Sequence, residues 1–238
     1  MIGMEFTSLL RGTVIAGLLL TGIPVGVSAE TATIEATADA TLIEDDLGLL
    51  ANGSGPALFI GRTGQANGGI RRAAVRFDLS ETLPAKAIIE RVFLNLRLTP
   101  SNEQSTRVTV HRLLQGWSEG SAFSSGGAGA PSDYGDTTWL HTHYDYQFWA
   151  IAGGHYVKRV SAEAWVGPED FYTWQSSPPL VADVRSWQHA PHRNFGWIMI
   201  GGEENAQSVK RFNSRESSVA EFRPTLTIEY RMPENQRN

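Results

Sequence analysis

The sequence contains no cysteine among its 238 residues, so no disulfide can contribute to its stability. It also lacks a strong charge imbalance, because 20 Lys and Arg against 25 Asp and Glu leave a net charge of −5. A general affinity for nucleic acid or acidic membranes is therefore not indicated. Phosphate-loop and zincin-helix motifs are absent from the sequence, which removes the enzyme classes that these motifs identify.

The first 29 residues have the features of a secretory signal peptide. Arg11 precedes an apolar run at residues 14–20, and Val27-Ser28-Ala29 fits a cleavage site. The run is too short to span a bilayer comfortably, and an uncleaved membrane anchor is the alternative. We expect cleavage after Ala29 and a secreted, periplasmic or surface protein. The missing cysteines favour a bacterial origin and leave the core or a metal ion to stabilise the exported chain.

Residues 70–79 alternate between an apolar and a charged face. Apolar side chains occupy every second position and mostly charged side chains lie between them: Ala73, Val75, Phe77 and Leu79 against Arg72, Arg76 and Asp78. A period of two predicts a half-buried β-strand. Because charges on one face do not suit a parallel sheet covered by helices, we expect an antiparallel sheet with one face on the core.

Further strand patterns, separated by turn signals, follow along the chain. They lie at residues 57–61, 88–98, 106–113, 195–200, 209–213 and 225–231, and the polar connection 100–105 predicts that the 88–98 and 106–113 strands are antiparallel neighbours. Three-residue apolar steps predict one short helix at 180–189. We therefore predict an all-β, jelly-roll-like β-sandwich as a single domain at residues 30–231, followed by a polar tail at 232–238.

A loop-like stretch at residues 116–134 leads into a segment, 136–156, that is rich in aromatic residues and histidine. Exposed aromatic rings can stack on sugar rings, and Arg or Lys can bind sugar carboxylates. Rings packed in the core are the alternative. The candidate ligand-binding residues are Trp139, Tyr144, Trp149, Tyr156, Lys210 and Arg211.

Two groups of residues are candidates for metal binding. Asp39, Asp45 and Asp46 offer oxygen ligands for a structural calcium ion, although their spacing matches no known calcium loop and a solvated acidic turn is the alternative. His141 and His143 would lie on one face of a strand, where they could share a transition metal; a surface loop with polar aromatics is the alternative.

An ordered series of motifs resembles the DNRLRE-type domain of bacterial and archaeal surface proteins, which is allied to carbohydrate-binding modules for alginate-like polysaccharides. The resemblance covers about residues 31–231 and implies a secreted, non-catalytic, jelly-roll-like accessory module. It assigns no ligand-contacting residue. It is carried by Arg71-Arg72-Ala73-Ala74-Val75-Arg76-Phe77-Asp78-Leu79, Trp117-Ser118-Glu119-Gly120, Asn213-Ser214-Arg215-Glu216 and Arg223-Pro224-Thr225-Leu226.

Three functions are open at this point. The first is binding of a polysaccharide, acidic glycans included, or service as an extracellular matrix or surface module without catalysis. The second is a polysaccharide lyase, in which a tyrosine (Tyr144 or Tyr146) and a histidine (His141 or His143) would handle the proton next to a uronate carboxylate. The third is a purely structural surface module that recognises another protein. No nucleic-acid partner is expected.

Overall fold

The computed structural model describes residues 1–2 and 29–233. The predicted signal peptide lies almost wholly outside the described residues, as does the end of the polar tail. The described chain is mostly β-strand: β1 (Glu30–Glu35), β2 (Ala38–Ile43), β3 (Leu50–Ala51), β4 (Ala57–Arg62), β5 (Ile70–Arg76), β6 (Ile88–Arg97), β7 (Thr106–Arg112), β8 (Ala130–Pro131), β9 (His141–His143), β10 (Gln147–Phe148), β11 (Ala162–Val166), β12 (Phe171–Trp174), β13 (Trp197–Ile200), β14 (Lys210–Asn213) and β15 (Thr225–Arg231). One helix, α1 (Pro178–His189), and two 3₁₀ turns (Pro191–Arg193 and Ala220–Phe222) complete it.

Two antiparallel sheets face each other across one main core, which confirms the predicted all-β sandwich. The smaller sheet has the order β1-β15-β6-β12, and the larger has the order β11-β7-β13-β5-β4-β14, with β2 also paired to β5. Alternate residues of both sheets fill the main core. In β15, Leu226, Ile228 and Tyr230 point inward, as the period-two pattern predicted.

Strand β5 has the alternation that its sequence predicts, but both of its faces are covered. Ala73 and Val75 point into the main core. On the outer face, the Arg72 guanidinium lies 4.8 Å from the Trp139 ring centroid, and that of Arg76 lies 5.4 Å from the Trp117 ring centroid. The expectation of a half-buried strand is therefore corrected: residues that follow β7 pack over the charged face, and aromatic rings shield its arginines.

Two local predictions are wrong for reasons of long-range pairing. Strands β6 and β7 are not neighbours: β6 pairs with β12 and β15, whereas β7 pairs with β11 and β13 in the other sheet. Residues 100–105 thus pass between sheets. Asp39 does not lie in an acidic turn, because residues Ala38–Ile43 form a wholly buried strand against β5.

Helix α1 begins and ends close to the predicted bounds. The Ser177 hydroxyl caps its first turn by accepting a hydrogen bond from the Leu180 N–H, and prolines occupy its first two positions. Val184 and Trp187 face the main core, where the Trp187 and Trp197 ring centroids are 4.4 Å apart. Neither α1 nor any other helix of the described residues is long and apolar enough to cross a membrane.

Candidate functional site

Residues 113–161, which we call the cover, lie on the outer face of the larger sheet. Trp117 and Trp149 of the cover pack against sheet residues such as Leu42, Ala74 and Ile198 in an apolar cluster separate from the main core. The two indoles are also hydrogen-bonded, Trp117 to the Phe195 carbonyl at 2.8 Å and Trp149 to a carbonyl within the cover. Burial of these rings explains why a segment with little regular structure holds a fixed position.

A buried carboxylate organises the middle of the cover. Asp136 accepts hydrogen bonds from the backbone N–H groups of Ser121 at 2.6 Å, Ala122 at 3.3 Å and Asp133 at 2.7 Å. These bonds satisfy backbone donors that have no sheet partner. The glycine- and serine-rich loop, which reads as flexible in sequence, is therefore tied at both of its ends to one side chain.

The outer side of the cover carries a patch of aromatic residues, which we call the aromatic patch. Three of its rings are prominently exposed: Tyr134 at 75%, Tyr146 at 54% and Phe148 at 57%. The Tyr134 and Tyr146 rings are stacked with centroids 5.0 Å apart, and the His143 ring follows 5.6 Å from Tyr146. Exposed aromatic clusters of this kind mark interaction sites more often than isolated apolar residues do.

The β9–β10 hairpin positions the rest of the patch. His141 of β9 lies 4.3 Å from the Phe148 ring of β10 and 5.1 Å from the Tyr144 ring. Burial lowers the pKa of both His141 and His143, with the Asp145 carboxylate partly opposing this for His141. Both imidazoles are therefore neutral at neutral pH, and the patch presents uncharged ring surfaces.

A polar cavity of about 910 Å³ lies next to the patch. Its lining includes Glu44, Asp45, Asp46, Arg62 and Asn67. The segment 47–50 lies between the cavity and the β9–β10 hairpin. Leu47 and Leu50 line the cavity. Gly48 packs closely on the His141 imidazole, since a Cβ at Gly48 would lie 2.8 Å from the His141 Nδ1.

The cavity wall carries three carboxylates, Glu44, Asp45 and Asp46, against two guanidinium groups, Arg62 and Arg71. The Arg71 guanidinium at its base is already used by the carbonyls of Gly68, Ile70 and Gly127. Burial lowers the pKa of Arg71, and Glu44 opposes that shift. The cavity therefore has a small excess of negative charge, which favours hydroxyl groups over anions.

The predicted aromatic ligand residues occupy different environments. Tyr144 belongs to the aromatic patch. Trp139 lies against Arg72, and Tyr156 packs 5.1 Å from the His111 ring, so both fasten the cover to the sheet. Trp149 is buried, so its ring is not available to a ligand at the surface.

The two predicted basic residues lie on β14, away from the patch. Lys210 is fully buried, and its ammonium donates to the carbonyls of Asn102, Gln104 and Gly167. Burial lowers its pKa. Arg211 is partly exposed and donates to the Thr99 hydroxyl at 3.0 Å. The ammonium of Lys210 is thus enclosed by backbone carbonyls.

The predicted metal ligands do not form one group. Asp39 is buried near the start of β2, whereas Asp45 and Asp46 follow the end of that strand and line the cavity. Asp45 accepts the Leu49 N–H at 2.5 Å and so closes a local turn. In the part of the chain that the structure describes, neither His141 nor His143 belongs to a group of three potential metal-ligating side chains.

Sequence reasoning passed over Tyr134, the most exposed ring of the patch. Its signal was present, because an aromatic residue between Asp133 and Gly135 sits in a turn, where it has no core face to occupy. Gly135 adopts φ +89°, which confirms the turn. The aromatic residues that sequence reasoning favoured are mostly those that hold the cover in place.

A search against protein-family models found no match, and a search of curated proteins found none either.

Proposed function

We propose that this protein is a non-catalytic polysaccharide-binding module that acts outside the cytoplasm and uses the aromatic patch as its binding surface. The observation that carries the proposal is the exposed Tyr134–Tyr146 pair, held on the cover near a polar cavity. The signal-peptide pattern of residues 1–29 supports export. The motif resemblance supports the same role.

Stacking supplies the physical basis for binding. The apolar face of a sugar ring can lie on an exposed tyrosine, while hydroxyl groups exchange hydrogen bonds with polar side chains beside it. Because Asp45 and Asp46 would repel uronate carboxylates, we infer that neutral, hydroxyl-rich polysaccharides bind better than acidic ones.

Affinity gel electrophoresis of the full chain against neutral and acidic polysaccharides tests the proposal. We expect retardation by at least one neutral polysaccharide. Tyr134→Ala should weaken it roughly two- to tenfold, since an aromatic contact contributes about 0.5–1.5 kcal/mol. Phe171→Ala is the matched control, because this ring is 55% exposed but lies on β12 of the other sheet. Absence of retardation, or equal losses in both variants, would contradict the proposal.

A lyase remains the second candidate, favoured by the edge contact between the His141 and Tyr144 rings at 5.1 Å. Uronate chemistry needs a cation to neutralise the carboxylate next to the abstracted proton. The charged group that acts on His141 is instead the carboxylate of Asp145. Incubation with uronate polymers tests this candidate. If an unsaturated product that absorbs in the ultraviolet accumulates, the lyase proposal replaces the binding proposal.

A further inference from the structure

Three acidic side chains from distant parts of the sequence meet at the edge of the cover. Asp39 comes from β2, Glu119 from the cover and Glu216 from the turn after β14. One carboxylate oxygen of each lies within 4.8 Å of the others. The group therefore connects three separate segments at one point.

Arg215 neutralises only part of this charge. Its guanidinium makes two hydrogen bonds to Glu119, at 2.6 and 2.8 Å, and lies 3.1 Å from Glu216 Oε1. Three carboxylates and one guanidinium leave a formal charge of −2 when all are ionised. The hydrogen bonds that its guanidinium donates to Glu119 raise the pKa of Arg215, so the guanidinium stays charged.

Two buried carboxylate oxygens of the group lack partners. Asp39 is 1% exposed, and its Oδ2 accepts a hydrogen bond from the backbone N–H of Arg215 at 2.8 Å. Among the residues that the structure describes, its Oδ1 has no hydrogen-bond donor, and neither has Glu216 Oε2. Burial, followed by the repulsion of neighbouring carboxylates, raises the pKa of Asp39 and of Glu216. Burying a carboxylate oxygen without a hydrogen-bond partner costs free energy, which a bound cation at this site would offset.

We propose that Asp39, Glu119 and Glu216 bind a hard divalent cation, with calcium as the best fit. Calcium–oxygen distances are about 2.4 Å, so two ligands of one ion lie up to about 4.8 Å apart. The carboxylate oxygens of the group all lie within this limit of one another. An all-carboxylate set without histidine or cysteine favours calcium, magnesium or manganese over zinc.

Such an ion would fasten the cover to the larger sheet. Glu119 also accepts the Asp39 backbone N–H at 2.8 Å, so the carboxylate is already aimed at the strand. Backbone carbonyls or water would complete the coordination. The inference concerns the attachment of the cover and does not depend on what the aromatic patch binds.

Isothermal titration of the chelator-treated full chain with calcium, magnesium, manganese and zinc chlorides tests the site. We expect one calcium ion to bind per chain and the thermal midpoint to rise with calcium, because the ion binds only the folded state. Glu216→Gln should weaken calcium binding by roughly a hundredfold or more, since even changes next to a ligand cost about 10- to 100-fold. Asp46→Asn, in the exposed acidic turn, is the matched control and should bind as the unmodified chain does.

The rival occupant of the same space is a proton shared by Asp39 and Glu216. Without metal, Glu216→Gln should fold, because its amide can donate to Asp39; Asp39→Asn provides a second variant. No heat and no thermal shift with calcium, magnesium or manganese in the unmodified chain would overturn the proposal. The proposal would also be overturned if the chain preferred zinc, or if calcium binding were unchanged in both Glu216→Gln and Asp39→Asn. Loss of calcium binding in Asp46→Asn alone would overturn it as well. A protein that binds calcium but no polysaccharide would refute only the proposed function.

Discussion

The guanidinium of Arg72 is stacked 4.8 Å from the ring centroid of Trp139, which joins the central strand of the larger sheet to the cover. The same guanidinium makes two bonds to Glu203, at 2.6 and 3.0 Å, and donates to the Gly153 carbonyl at 2.8 Å. Both side chains of the ion pair are largely buried. One arginine thus anchors a cover loop and the turn after β13.

Arg72→Ala should lower the free energy of unfolding by about 3–5 kcal/mol, because it leaves the Glu203 carboxylate buried without its partner. Arg91→Ala is a matched control: Arg91 also lies 4.8 Å from an aromatic ring and pairs with a glutamate, but its side chain is 58% exposed. We expect that control to cost about 1 kcal/mol or less. Denaturant unfolding measures both, and equal losses would contradict the anchoring role.

Lys210→Met should lower the free energy of unfolding by about 2 kcal/mol or more, because it leaves three backbone carbonyls without their donor. Lys158→Met removes an exposed ammonium from the surface of the cover and should change stability by about 0.5 kcal/mol or less. Unfolding in urea gives the comparison. If Lys210→Met instead weakened polysaccharide binding with stability intact, Lys210 would regain the ligand-binding role that its sequence suggested.

Gly53→Ala should destabilise the protein by about 1–3 kcal/mol through overpacking. A Cβ at Gly53 would lie 1.8 Å from the Glu119 carbonyl oxygen, so the cover must shift. Gly126→Ala is the control, because no atom of the described chain would lie within 4 Å of its Cβ. It should be neutral or stabilise by up to about 1 kcal/mol. Thermal unfolding compares the stabilities of Gly53→Ala and Gly126→Ala. Calcium titration should show weaker calcium binding in Gly53→Ala alone.

His111 should make stability fall as the pH is lowered. Burial lowers its pKa below the usual 6.5, helped by Arg72 and Arg107, and hydrogen bonds to the Val157 and Arg159 carbonyls oppose the shift. The unfolded chain therefore takes up the proton first. The contribution of His111 is complete above about pH 6.5 and is lost as the pH falls toward its folded-state pKa.

His111→Gln isolates this contribution from the other titrating groups. We expect the difference in unfolding free energy between the unmodified chain and His111→Gln to shrink from pH 7.5 to pH 5.5, because only the histidine is penalised by protonation. Urea unfolding at both pH values measures it. A difference that stays constant across this range would show that His111 does not titrate on unfolding.

Local patterns predicted the elements whose burial follows their own periodicity. Strand β15 has the predicted bounds, and α1 ends at the predicted residue, because each packs one regular face on the main core. Lys210 carried an unused signal of the same kind: it shares the buried face of β14 with Phe212. The period-two rule, applied strictly, would have placed the ammonium inside.

The remaining features depend on contacts between distant residues. The burial of Asp39 is explained by Glu119, 80 positions away, and by Arg215, 176 positions away. Nothing near Asp39 in the sequence separates a buried acidic residue in a strand from an acidic residue in a turn. The placement of β7 in the sheet opposite β6 also depends on distant residues. Residues 100–105 have the composition of a hairpin loop, so they give no local sign that the chain crosses between sheets.

The separation of the cover's apolar cluster from the main core has a consequence for divergence. Trp117 and Trp149 hold the cover through contacts that the main core does not share. Substitutions on its outward side, at Tyr134 or Phe148, can therefore change the exposed surface without disturbing the buried residues on which folding depends. The sandwich can stay constant while the outward side of the cover varies.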